Sequence, residues 1–139
     1  MLFESEKSLC KLNDKIIVCR ENQSEYRAEN VALDNVYKFK IDGDILSVSD
    51  SSVRCDYLVE NETKKHAYFI ELKGSDITHA IEQIEATINK YKGKLTLYEI
   101  KPRIIYKNNT HDIKNSKVRQ FKSKYKSVVF KTNMYSEKI

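Results

Sequence analysis

The segment Ala67–Lys73 (AYFIELK) constrains this chain more than any other. Its continuous apolar start is what a strand covered on both faces requires, because neither face then meets water. Gly74 ends the run, and Ser75 or Asp76 stands where a side-chain oxygen can accept a bond from the free first-turn N–H groups of a helix. Apolar residues then recur at 77, 80, 81, 84, 88 and 91, which predicts an amphipathic helix over Ile77–Lys92 with Gly93 at its C-cap. A buried strand running straight into a helix makes an α/β fold the expectation.

The flanking segments extend that reading. Residues 3–12 suit a short helix, Lys15–Arg20 reads as a strand from its β-branched run, and the polar stretch 21–33 fits a loop or a helix. Val36–Ile41 alternates apolar and basic residues, the period of a half-exposed strand. Asp42-Gly43 supplies a hairpin turn with Ile45–Ser49 as the returning partner. Val53–Val59 is the next strand, and Asn61–Lys65 turns the chain into Ala67–Lys73. Beyond the helix, Leu95–Tyr98 and Arg103–Lys107 are strands flanking Pro102, Asp112–Tyr125 is a basic helix, and Ser127–Lys131 is a last strand. A mixed central sheet flanked by helices follows, in a single domain over residues 1–139.

Composition narrows the functional classes. With 139 residues, 40% of them hydrophobic, the chain supports one core, and its three glycines and one proline exclude collagen-like and Pro/Gly-rich disordered chains. No apolar run reaches the roughly 20 residues of a membrane span. The start MLFESEKSLCKLNDK is too acidic for a secretory signal, and three cysteines cannot all pair, so a reduced, cytoplasmic setting is expected. Phosphate-binding glycine loops and the nucleophile-elbow motif are absent, which argues against ATP-driven work by this chain alone. Charge is distributed unevenly. Residues 100–139 hold eleven Lys/Arg against Asp112 and Glu137, a balance of +9, while residues 1–99 hold 14 basic against 18 acidic, a balance of −4. A basic C-terminal third on an acidic body suits a polyanion partner, the plain alternative being a solvated lysine-rich surface.

Glu71 and Lys73 are two apart on a strand, so both leave the same face. An acid and a base at the end of a buried strand are costly without partners or a task. If the preceding strand pairs beside them, Asp56 and Glu71 become two hard oxygen ligands suited to Mg²⁺ or Mn²⁺. A cation there lowers the pKa of a bound water and offsets charge on a phosphate, with Lys73 beside it to orient or deprotonate that water.

Asp56, then fourteen residues, then Glu71-Leu72-Lys73, followed by an amphipathic helix, resembles the PD-(D/E)XK nuclease superfamily, the restriction endonuclease-like and Holliday junction resolvase-like enzymes. The resemblance is closest over residues 53–92, within a motif core of about 36–107. It implies a restriction-endonuclease-like sheet and Mg²⁺-dependent hydrolysis of phosphodiester bonds, in DNA. Asp56 and Glu71 would hold the metal, and Lys73 would assist the nucleophile. Gln83, aligned with His79 and Thr87 along the helix, would support the site or contact substrate. Two departures stand out: Cys55 occupies the proline position, and none of Glu4, Glu6, Glu25 or Glu29 is singled out as the further glutamate that many members carry. Lys114, Lys117, Arg119, Lys122 and Lys124 on the basic helix would bind the nucleic-acid backbone. A homodimer or a larger complex is expected, since one small chain spans only part of a duplex. The rival is a nuclease-fold binding or assembly protein without turnover.

Overall fold

The computed structural model describes residues 1–21, 23–72, 76–107 and 115–139. At its centre β5 (His66–Leu72) pairs antiparallel with β4 (Tyr57–Asn61) and parallel with β6 (Glu99–Tyr106). Outside these lie β3 (Val36–Lys40), antiparallel to β4, and β7 (Val129–Thr132), parallel to β6, giving the order β3-β4-β5-β6-β7. A second sheet has the order β1-β2-β8, from β1 (Ile16–Glu21), β2 (Ser24–Glu29) and β8 (Met134–Lys138). The helices are α1 (Ile77–Lys90) and α2 (Ser116–Lys124). The molecule is thus a single-domain α/β fold with mixed sheets and two flanking helices.

The apolar run of β5 has the predicted cause. Ala67 and Phe69 join Ile77, Ala80, Ile81, Ile84 and Ile88 of α1 and Val118 and Phe121 of α2 in one core. Tyr68, Ile70 and Leu72 turn to the other face, where they meet Ile17, Cys19, Tyr26 and Ala28 of the small sheet. Asp76, whose side chain accepts from the His79 N–H at 2.9 Å, caps α1.

Several segments depart from expectation for identifiable reasons. Gly43 does occupy a turn, with φ of 118°, but Ile45–Ser49 forms no strand. The partner of β3 is β4, and the intervening loop is gathered on Arg54, which donates to the carbonyls of Asp50 (2.7 Å) and Ser47 (3.1 Å) and to Asp42 Oδ1 (3.0 Å). Those bonds also keep residues 53–56 out of the ladder, so β4 begins at Tyr57. Gly93 lies in a short 3-10 turn, Lys92–Lys94, rather than at a left-handed C-cap. Pro102 sits inside β6 instead of dividing two strands, tolerated because β7 borders β6 only from Arg103 onward. Of residues 3–12 only Ser5–Lys7 is helical, and the chain beyond covers the β3 edge through Leu9 N–H to Lys38 O and Val36 N–H to Leu12 O, both 2.7 Å.

The small sheet is fastened to the large one by a buried ion pair. Arg103 of β6, 4% exposed, donates through Nε and Nη2 to Glu137 of β8 at 2.6 and 3.1 Å. Its Nη1 serves the carbonyls of Pro102 (2.8 Å) and Ser127 (2.6 Å), and its guanidinium lies over the Tyr68 ring at 5.3 Å. Tyr26 O–H donates to the same carboxylate at 2.8 Å. Burial, with the Glu137 charge beside it, pushes the Tyr26 phenol well above its usual range and keeps it a donor. One positive charge of the basic C-terminal third is therefore internal and neutralised. No helix among the described residues is long and apolar enough to cross a membrane.

Candidate functional site

The β4–β5 ladder ends with Tyr57 opposite Ile70, and Asp56 and Glu71 are the next residues beyond that pair. Within β5, Glu71 and Phe69 are two apart and share a face. Each carboxylate also reaches across the pair. Glu71 Oε1 accepts from the Asp56 N–H at 3.1 Å, and Asp56 Oδ2 accepts from the Leu72 N–H at 2.8 Å. Glu71 is 1% exposed and Asp56 is half-buried. The site lies at the carboxyl ends of β5 and β6, where open α/β sheets place their ligands because strands end and loops begin there.

Gln83 is brought to the same place. From the second turn of α1 its Nε2 donates to the Arg54 carbonyl at 3.1 Å, two residues before Asp56. Its Oε1 is buried and has no hydrogen-bond partner among the described residues. Lys73 lies outside the described residues, as do Lys114 and His111.

Strict alternation along a strand would put Cys55 on the opposite face from Asp56. It instead joins the core beneath α1, because no strand pairing sets alternation before Tyr57. Burial, with the Glu71 charge near it, pushes the Cys55 thiol well above its usual range, and burial raises Cys19 to about 12. Thiols held protonated are poor nucleophiles. All three cysteines are free. His79 is a surface residue of the first turn, 3.6 Å from Glu82.

Sequence reading did not single out Glu60, a fully buried acid at the far end of β4. It accepts from Leu2 N–H at 2.8 Å and from Tyr98 O–H, which accounts for its burial within the fold.

Helix α2 begins beside the site end of α1, with Asn115 Nδ2 donating to Thr78 Oγ1 at 3.2 Å. Val118 and Phe121 face the core, and the basic residues divide among the remaining directions. Lys117 donates to Glu82 Oε1 at 3.0 Å, and the ammonium holds that carboxyl below its usual range. Lys122 lies over the Phe130 ring and Lys124 over the Tyr125 ring, at 5.4 and 5.6 Å. Arg119 and Lys124 line one shallow surface concavity with Ser116, Gln120 and Ser123.

Among the described residues no group of three or more His, Cys, Asp and Glu side chains is placed to hold a metal ion. The hard donors at the site are the Asp56 and Glu71 carboxylates. Hard oxygen donors of this kind suit Mg²⁺, which keeps several waters and is commonly held by one or two carboxylates plus substrate phosphates. An ionised carboxylate has about four lone-pair sites, so accepting one N–H is compatible with ligation. No family model, no curated protein and no solved structure matches this chain.

Proposed function

We propose that this chain is a restriction-endonuclease-like, metal-dependent nuclease of the PD-(D/E)XK type that hydrolyses phosphodiester bonds in DNA. The reading is carried by one observation: Asp56 and Glu71, fifteen residues apart, lie at the end of the β4–β5 pair, where Glu71 Oε1 accepts from Asp56 N–H and Asp56 Oδ2 accepts from Leu72 N–H. In the proposal both carboxylates hold Mg²⁺ or Mn²⁺, which supplies a water of lowered pKa and charge stabilisation at the phosphate. Lys73 orients or deprotonates the attacking water, and Gln83 supports the site through its unpartnered oxygen. The chain works as a homodimer or within a larger complex, in the cytoplasm.

A second reading is favoured by the two backbone bonds that the carboxylates accept. In that reading Asp56 and Glu71 stabilise the strand ends of a nucleic-acid-binding or assembly protein without turnover. Asp56→Asn separates the two. The amide oxygen still accepts from Leu72 N–H, and removing one of two adjacent like charges relieves repulsion, so apo stability is expected to hold or rise slightly. The metal-induced rise in melting temperature, worth about 2.7 kcal/mol at a hundredfold excess over Kd, is expected to shrink. Asp56→Ala, which strands a buried N–H, is expected to cost about 1–3 kcal/mol. Thermal scans with and without Mn²⁺ check both, and an apo Asp56→Asn protein that melts several degrees early favours the second reading.

Nucleic-acid contact is assigned to α2. Each phosphate contact on duplex DNA contributes about 0.9 to the slope of log affinity against log salt. Replacing Arg119 and Lys124 together by Ala is expected to flatten that slope by up to about two units, equally across sequences. Binding titrations at several salt concentrations measure this, and an unchanged slope in the double variant removes α2 from the contact surface.

A further inference from the structure

We infer that Thr87 is a positioning residue of the Asp56–Glu71 site, holding the backbone ahead of Asp56 against α1. The inference rests on the metal-site reading above. Asp56 lies one residue before β4 begins, so the regular ladder does not fix the chain that leads into it. Beside the two bonds that Asp56 makes with β5, three bonds from α1 and from the chain after β3 hold it. Thr87 Oγ1 accepts from Cys55 N–H at 2.8 Å, Gln83 Nε2 donates to Arg54 O at 3.1 Å, and Ile41 N–H donates to Asp56 O at 2.9 Å.

The Thr87 hydroxyl is committed in both directions. Its hydrogen goes to the Gln83 carbonyl at 2.8 Å, one helical turn back, which leaves its lone pairs for Cys55 N–H. The side chain is fully buried, so water cannot replace either bond. A single hydroxyl thus ties the helical turn that carries Gln83 to the backbone that carries Asp56. Buried apolar side chains occupy the same face of α1 at Ile77, Ala80, Ile81, Ile84 and Ile88. Valine would satisfy the packing at position 87 as well as threonine does, and only the hydroxyl makes the link.

Partners that orient metal ligands typically change metal affinity or activity by about 10–100-fold when removed. Mn²⁺ titration of the intact chain, followed by the electron paramagnetic resonance of free Mn²⁺, tests the inference in wild type, Asp56→Asn, Thr87→Val and Thr87→Ser. The expected result is Asp56-dependent binding that weakens by about 10–100-fold in Thr87→Val and stays near wild type in Thr87→Ser. A purely structural threonine would lower the melting temperature of Thr87→Val and leave its Mn²⁺ midpoint in place, which overturns the inference while the metal-site reading stands. Wild-type protein without Asp56-dependent Mn²⁺ binding overturns both. Should Thr87→Val not fold, amide exchange in the wild-type chain decides. Cys55 N–H is expected to be as protected as the β4–β5 ladder, and exchange as fast as that of the exposed loop residues 47–49 overturns the clamp.

Discussion

Glu71→Gln should reduce metal-dependent cleavage by about 10³-fold while leaving the fold in place. Gln keeps an oxygen that can accept from Asp56 N–H, so the backbone bond at the strand end survives. What disappears is the charge. A metal at a phosphoryl oxygen supplies several kcal/mol of transition-state stabilisation, and about 4 kcal/mol corresponds to three powers of ten in rate. Lys73→Ala should fall by about 10²–10⁴-fold if the ammonium handles the proton of the attacking water. Nucleic-acid contact is assigned to α2, so DNA affinity measured in chelator should persist in both variants. The measurement is single-turnover cleavage of a labelled DNA panel with Mg²⁺ and with Mn²⁺, beside circular dichroism of each variant. Cutting by either variant at near the wild-type rate would sink the catalytic assignment.

The second large effect concerns stability. Arg103→Ala should lower stability by about 3–5 kcal/mol, the usual consequence of breaking a buried ion pair from one side. Glu137 would lose both of its guanidinium bonds, and the Pro102 and Ser127 carbonyls would lose their donor. For a chain of this length each kcal/mol shifts the melting temperature by about 3–5 °C, so a fall of about 10–20 °C is expected. Replacing both partners with apolar residues, Arg103→Met with Glu137→Leu, should recover much of that loss, because no charge is left stranded. Thermal unfolding of the single and double variants measures it. A single-variant loss under about 1 kcal/mol would mean that the two sheets are held together by their apolar faces alone.

Where local pattern and burial agreed, the elements were readable from residue order. The run through Phe69 and Ile70, the Asp76 cap and the apolar stripe of α1 each encode their neighbours' geometry within a few residues. The antiparallel pairing of β4 with β5 was readable for the same reason. A hairpin turning at Asn61–Lys65 leaves little choice of register for strands whose alternate residues must be buried. Of the small sheet only β1 was readable, from its β-branched run. In β2 only Ser24, Tyr26 and Ala28 face inward, and two of the three are too small to mark a buried face. In β8 the inward residues are Tyr135 and Glu137, and the acid is buried only because Arg103 waits for it on another sheet.

Residue order was enough for the β5–α1 unit, the β4–β5 pairing and the excess of positive charge after residue 100. Tertiary structure alone decided three further matters. It drew Arg103 inward, engaged Lys117 with Glu82, and fixed residues 54 and 55 on α1 through Gln83 and Thr87. Each depends on a partner 29 or more residues away in the chain. A polar group's partner of that kind is chosen by burial, which leaves an unmet donor or charge too costly to keep, and burial is a property of the folded whole.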